Sequence, residues 1–339
     1  MNRRELLRLM SMAGTVLAAP RAADLDWERL NDVAGRTGRL GPATVEQYAA
    51  LNRHLWNAYA ASTSKAAAFP AVRNQLGVLV SGLQRSNGPA MHQRLCGLAA
   101  DLFQLAGEIL FDCNQYTEAA HCYTLAATAS KEADAYDLWA CAMTRHAFIG
   151  VYERQFDKAA PMLELAAGLA RRGSSSLSTR YWVNAVHAQA LAGLGDLDAC
   201  KRALDAAEEV HQLRGDIHNG GWLRFDGSRL AEERGTCYVE LGRADLAEDV
   251  LLNALNQNLS ARRRGSVLTD LAMVGVLRRD PIQLVMYGDA ALDTARQTRS
   301  GVIGRKLQGL QRHLGPFLGD SHVGYLDAQI TSLTGAAAH

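Results

Sequence analysis

The run Gly107-Glu108-Ile109-Leu110-Phe111-Asp112-Cys113-Asn114-Gln115-Tyr116-Thr117-Glu118-Ala119-Ala120-His121-Cys122-Tyr123-Thr124-Leu125-Ala126 decides the fold. A small residue, Gly107, is followed twelve positions on by a second, Ala119; large Tyr123 comes four further and Ala126 three after that. The same order returns as Ala147, Ala159, Leu163, Ala166, again as Ala188, Cys200, Leu204, Ala207, and a fourth time as Gly235, Ala247, Leu251, Ala254. Turn residues fall at one phase of each copy: Asn114-Gln115, Arg154-Gln155, Gly195-Asp196 and Gly242-Arg243. Two antiparallel helices approach closely only where both present small side chains, and the first two positions supply that contact. The large residue and the alanine then lie on the inner face of the second helix, at i+4 and i+7 from the small one. Each hairpin keeps an uncovered apolar side, so neighbours must stack. The expected fold is all-α, a right-handed superhelical solenoid of helical hairpins with one concave face.

Composition agrees. Apolar residues make up 48% of the 339, aromatics 6%, and there are only seven prolines. Small apolar residues, with alanine runs at Ala66–Ala68, Ala166–Ala167 and Ala290–Ala291, favour close-packed helices over sheets. The net charge of +1 removes a bulk attraction to nucleic acid, so this chain alone is not expected to bind it. Of 36 basic residues five are lysine, leaving 31 arginines, the skew of a GC-rich genome such as an actinomycete's. Six cysteines stand without a C-x-x-C pair or zinc spacing, which predicts reduced, buried, helix-packing thiols, no metal or cofactor, and a cytoplasmic location. Asn2-Arg3-Arg4-Glu5-Leu6-Leu7 matches a twin-arginine export signal, the alternative location; an amphipathic linker helix is the other reading of this segment. No stretch is long enough to span a membrane. No G-x-S-x-G setting, histidine pair at ligand spacing or phosphate loop occurs, so the chain is not expected to be an enzyme.

The Gly/Ala, Ala, Phe/Tyr, Ala order over 95–259 resembles the tetratricopeptide repeat, although the copies lie 40, 41 and 47 residues apart, wider than that family's usual period of about 34. The expected organisation is a linker or signal-like segment at 1–24, N-terminal helical pairs at 25–90, repeats at 91–259, and a C-terminal pair with capping helices at 260–339. Asp280-Pro281 marks a helix start in the C-terminal pair. Breaks are expected at 36–42, 85–89, 173–178 (with Ser178 capping the next helix) and 213–221.

In the tetratricopeptide family the first helix of each pair lines the groove. Carried onto this sequence, the groove positions are Asp101, Gln104, Glu108, Phe111 and Asp112; Cys141, Thr144, Phe148, Val151 and Tyr152; Trp182, Ala185, Gln189, Ala192 and Gly193; and Arg229, Glu232, Thr236, Val239 and Glu240. Their amides, hydroxyls and carboxylates beside aromatics suit an extended peptide or protein segment. Five carboxylates against one arginine point to a ligand with a positive group. Trp222, Arg224, Phe225 and Asp226 form a secondary candidate, either a ligand-gripping loop or an inter-repeat plug in which Asp226 or Ser228 caps a helix. Arg262-Arg263-Arg264 and Arg278-Arg279 make a local basic cluster that reads as a solvated helix end, the alternative being weak contact with an acidic partner.

Short stretches, Asn2–Leu9, Ala119–Ser130, Ala147–Glu153 and Asn219–Gly235, are similar to the tetratricopeptide-like sensor regions of actinobacterial helix-turn-helix regulators. That resemblance implies a ligand-responsive sensor, its partner a peptide or protein. No helix-turn-helix stands within the chain. A constitutive interaction scaffold is the alternative, and homodimerisation through the C-terminal helices a further expectation.

Overall fold

The computed structural model describes residues 41–62, 64–85, 88–217, 225–298 and 300–336; the segment 1–24, Trp222 and Arg224 lie outside them. Among the described residues the chain forms fourteen α-helices and no strand. Helices α1 (Pro42–Ala61) and α2 (Phe69–Arg85) precede five hairpins. These pair α3 (Pro89–Asp112) with α4 (Tyr116–Glu132), α5 (Tyr136–Tyr152) with α6 (Phe156–Ala170), and α7 (Thr179–Gly193) with α8 (Leu197–Glu208). They continue with α9 (Leu230–Glu240) and α10 (Ala244–Leu255), then α11 (Ala261–Arg278) and α12 (Pro281–Thr298). Helices α13 (Gly301–Gln311) and α14 (Ser321–Ala336) follow.

The small positions sit where the helices cross. A Cβ on Gly107 would lie 2.7 Å from Tyr123 Cδ1, and one on Gly235 would lie 2.6 Å from Leu251 Cγ. Ala147 shares a buried cluster with Ala159 and Leu163, as Ala188 does with Cys200 and Leu204. Every hairpin turns in the same way. Asn114, Arg154, Gly195, Gly242 and, in the fifth pair, Arg279 adopt left-handed φ of 61°, 62°, 80°, 69° and 60°. The next residue's N–H then reaches back five residues to a carbonyl: Gln115 to Leu110 (2.9 Å), Gln155 to Gly150 (2.7 Å), Asp196 to Leu191 (3.1 Å), Arg243 to Tyr238 (2.8 Å) and Asp280 to Gly275 (2.8 Å). This closes helix carbonyls that would otherwise lack donors.

Helices α3, α5, α7, α9, α11 and α13 touch one another in series and form the inner layer; α4, α6, α8, α10 and α12 form the outer one. In an open solenoid each repeat meets only its neighbours. Here the superhelix also bends back on itself. Tyr152 Oη donates to Val302 O (2.7 Å), Arg262 reaches Asp112 (3.3 Å), Ser300 Oγ bonds Asp112 Oδ1 (3.4 Å), and Arg154 grips Glu240 through two bonds of 2.6 and 2.8 Å. The C-terminal helices thus close over the ends of the first two inner helices.

Three local expectations need correction. Ser178 occupies the N-cap position of α7 but makes no side-chain cap bond: its backbone (φ −77°, ψ 4°) is not the extended one of a capping residue, its N–H donates to Ile217 O (3.1 Å), and its hydroxyl is buried without a partner. Neither Asp226 nor Ser228 caps α9: Asp226 Oδ1 accepts from Ser228 N (2.9 Å), and Arg229 is the residue at the cap. Cys113 is exposed at the end of α3, whereas the other five cysteines are buried free thiols.

Candidate functional site

The inner face divides into a sealed half and an accessible half. On α3, Asp101, Gln104 and Glu108 share one face, as their spacing demands. Helix α1 covers it: Trp56 Nε1 (2.8 Å) and Asn52 Nδ2 (2.9 Å) both donate to the Asp101 carboxylate. Burial pushes the Asp101 carboxyl up to about 6 against the pull of those donors and of Arg145. Arg145 of α5 donates to Gln104 Oε1 (2.6 Å) and Glu108 Oε1 (3.1 Å), and its guanidinium lies 5.7 Å from the Trp56 ring and 4.9 Å from that of Trp182. Gln104 in turn donates to Leu138 O (3.2 Å), and Tyr123 Oη donates to Glu108 (3.0 Å). Thr144 is fully buried and returns its hydroxyl to Ala140 O (2.7 Å); Cys141 is buried beside it. Expected groove residues Asp101, Gln104 and Thr144 therefore hold the array together and offer no free face. Arg145, which organises them, was missed from the sequence; its signal was a lone arginine within the apolar run Ala140–Ile149.

Phe111, Phe148 and Tyr152 stack with Tyr116 at the closing contact, with centroids 5.1 to 6.3 Å apart. Arg305 lies 5.0 Å over the Tyr116 ring. Phe148 and Tyr152 keep partial exposure, while Phe111 is buried. Ala185 and Ala192 are buried, and Gly193 is packed flat against the Phe156 ring, so none presents a groove surface.

The accessible half runs over α7, α9, α11 and α13. Trp182 and Gln189 project from α7, Glu232, Glu233 and Thr236 from α9, and Lys306 from α13, all partly exposed. Gln189 Nε2 donates to Glu233. Thr236 Oγ1 donates to Asp270 Oδ2 (2.7 Å), which also accepts from Lys306 Nζ (2.6 Å); that ammonium bonds Ser266 Oγ (2.8 Å) as well. Arg263 clasps Glu232 and the Ser228 carbonyl (2.7 Å). Arg229 lies outside this strip, one residue before α9 and exposed. Glu240 is engaged by Arg154.

The acidic balance expected from the sequence does not survive in space. Arg145, Arg154, Arg262, Arg263 and Lys306 stand against Glu108, Glu240, Asp112, Glu232 and Asp270. Arg262 and Arg263 are therefore inward-reaching ion-pair partners and not a solvated helix end. Phe225 is 2% exposed and packs with Val210 and Leu230 in the main core, so it plugs the junction between hairpins and does not grip a ligand. A separate open cleft of ≈ 350 Å³ lies between α8, α9 and α10, lined by Glu208, His211, Ser228 and Arg234 among others. Its arginine is already held by Glu208 (3.1 Å) and Asp205 (3.4 Å). Among the described residues no group of three His, Cys, Asp or Glu side chains is arranged to hold a metal ion, and no helix is long and apolar enough to cross a membrane.

No family model matches the chain, and no curated protein matches it. Among solved structures it is similar to a Rap protein complexed with competence and sporulation factor, with a TM-score of 0.52 over 87% of this chain and 99% of that one, at 11% identity. At that identity the likeness is one of fold, and it agrees with the hairpin geometry: the chain is an all-α, tetratricopeptide-like superhelical array.

Proposed function

We propose that the chain is a non-catalytic regulatory module that binds a peptide or an extended protein segment on its concave face, the sensor part of a bacterial transcriptional regulator. The observation that carries this reading is the strip Trp182, Gln189, Glu233, Thr236 and Lys306, with buried Asp270 beneath it holding Thr236 and Lys306 in place. It places amide, hydroxyl, carboxylate and ammonium groups, with one indole, along a single accessible inner surface contributed by α7, α9 and α13. Such groups match the alternating donors and acceptors of an extended backbone. The solved Rap protein, similar in fold, is complexed with competence and sporulation factor, which supports a ligand-receiving role for such an array. The contacts that close the superhelix, above all Arg154–Glu240 and Arg262–Asp112, give the array two curvatures to choose between, and a ligand shifts that choice by its differential affinity for them.

The test is selection from a random octapeptide library on the immobilised chain, followed by calorimetric titration of the enriched sequences. Binding that is lost in Gln189→Ala and Lys306→Met, with the fold intact by circular dichroism, is the expected result. No enrichment, or binding indifferent to both substitutions, contradicts the reading.

A further inference from the structure

Among the described residues the inner-face carboxylates each pair with a cation, with two exceptions, Asp101 and Glu233. Glu108 is held by Arg145 (3.1 Å), Asp112 by Arg262 (3.3 Å), Glu240 by Arg154 (2.6 Å), Asp270 by Lys306 (2.6 Å), and Glu232 by Arg263. Asp101 is sealed under α1 by two neutral donors. Glu233 remains. It stands in the middle of the accessible strip, partly exposed, and its bonded partner is the neutral amide of Gln189. A carboxylate that has given up much of its water without bonding a cation, and feels Arg229 and Lys306 only through space, is expensive to keep ionised.

We propose that Glu233 receives a cationic group of the bound peptide, an arginine or lysine side chain, and is the position at which the concave site selects its ligand by charge. This rests on the peptide-binding reading above. The ligand's cation completes the one unmatched pair of the strip, with the Gln189 carbonyl oxygen placed to accept a further N–H.

The surroundings set the pH behaviour. Glu233 faces Arg229, just before its helix, and on the helix itself Glu232 and the Cys237 thiol; α7 contributes neutral Gln189, α11 contributes Asp270 and Arg263, and α13 contributes Lys306. On the outer side of α9, Arg234 is occupied by Asp205 and Glu208. Burial, first, and then Glu232 and Asp270 push the Glu233 carboxyl up to about 7, against the opposing pull of Arg229 and Lys306. A cationic ligand favours the ionised form, so binding releases a proton below that value. Affinity for such a ligand therefore rises with pH, by about tenfold between pH 6 and pH 8, and levels off above.

The experiment uses the full chain and two octapeptide libraries, one with arginine fixed at a single position and one with citrulline, its neutral isostere, at the same position. Binding is compared at pH 6 and pH 8 for wild type and Glu233→Gln. The expected result is an arginine preference of tenfold or more at pH 8. It shrinks about tenfold at pH 6 and is absent in Glu233→Gln. Because the pH arm uses wild type alone, it decides the matter even if the variant folds poorly. An arginine preference that survives in Glu233→Gln, or equal binding of both libraries at both pH values, overturns this proposal and leaves peptide binding standing. Failure of both libraries to bind at all overturns the peptide reading and this proposal together.

Discussion

Replacing Gly107 with alanine tests the hairpin contact on which the whole array is built. Mid-helix, the change should help: glycine costs roughly 1 kcal/mol relative to alanine there. The crossing argues otherwise. The new methyl would lie 2.7 Å from Tyr123 Cδ1 and 2.9 Å from Cζ, inside van der Waals contact with a ring that is 1% exposed. The ring cannot swing aside freely, because its hydroxyl is tied to Glu108 (3.0 Å). Overpacking of this kind costs about 1–3 kcal/mol, so Gly107→Ala should be net destabilising by up to about 2 kcal/mol after the helix-propensity gain. The chain itself contains the remedy. In two of the three copies whose partner is leucine the small position is alanine, Ala147 with Leu163 and Ala188 with Leu204, while Gly235 faces Leu251 in the third. Gly107→Ala combined with Tyr123→Leu should therefore be more stable than the sum of the two single changes, with a coupling of roughly 1–2 kcal/mol. The assay is urea unfolding followed by helical circular dichroism, read as shifts in midpoint. A stabilising Gly107→Ala, or strict additivity with Tyr123→Leu, would refute the claim that these two residues meet at the helix crossing.

Two further outcomes follow from the sealed half of the inner face. Arg145→Met removes both N–H donors to Gln104 and Glu108 and the cation between two indoles, and should cost about 3 kcal/mol; Glu108 keeps Tyr123 and some water, which holds the loss to the lower end of the range for broken buried pairs. Tryptophan emission should shift with it, since Trp56 and Trp182 flank the guanidinium, and an unchanged spectrum would contradict that placement. Asp101 supplies a pH-dependent term: its carboxyl is raised from an ordinary 3.8 to about 6, so its contribution to stability is fully present below 3.8 and is lost as pH climbs through 6. Asp101→Asn should remove up to about 3 kcal/mol of that decline, because the amide can still accept from Trp56 and can donate to the unpartnered Asn52 Oδ1. Identical pH profiles for wild type and variant in urea unfolding would show that the carboxyl is not buried as described.

Much of the fold could be read from residue spacing, because what makes it is local. The positions of Gly107, Ala147, Ala188 and Gly235 declare helix crossings, and the turn dipeptides that follow them place left-handed residues at a fixed phase. Even Arg154, an unexpected occupant of a left-handed position, falls where the pattern puts a turn. The site was legible only in part. Helical periodicity shows which side chains share a face, and so it brought Gln189, Glu232 and Thr236 to the inner surface. It carries no information on curvature. The bend that brings Asp112 to Arg262 and Tyr152 to Val302 is a sum of small rotations over several hairpins, and no local signal encodes it. For that reason the inner carboxylates looked unopposed, when cations distant in sequence pair with Glu108, Asp112, Glu232, Glu240 and Asp270. Arg229 was misplaced for a simpler reason: α9 starts at Leu230, closer to its small residue Gly235 than Thr179 of α7 is to Ala188 or Tyr136 of α5 is to Ala147, so the position falls before the helix.

The most direct test of the central claim is hydrogen exchange on the full chain with and without a library-selected octapeptide. The account predicts slowed exchange concentrated in α7, α9, α11 and α13, with α8 and α10 unchanged. Protection confined to the outer helices, or to the cleft between α8 and α10, would show that the hollow face is not where this protein takes its ligand.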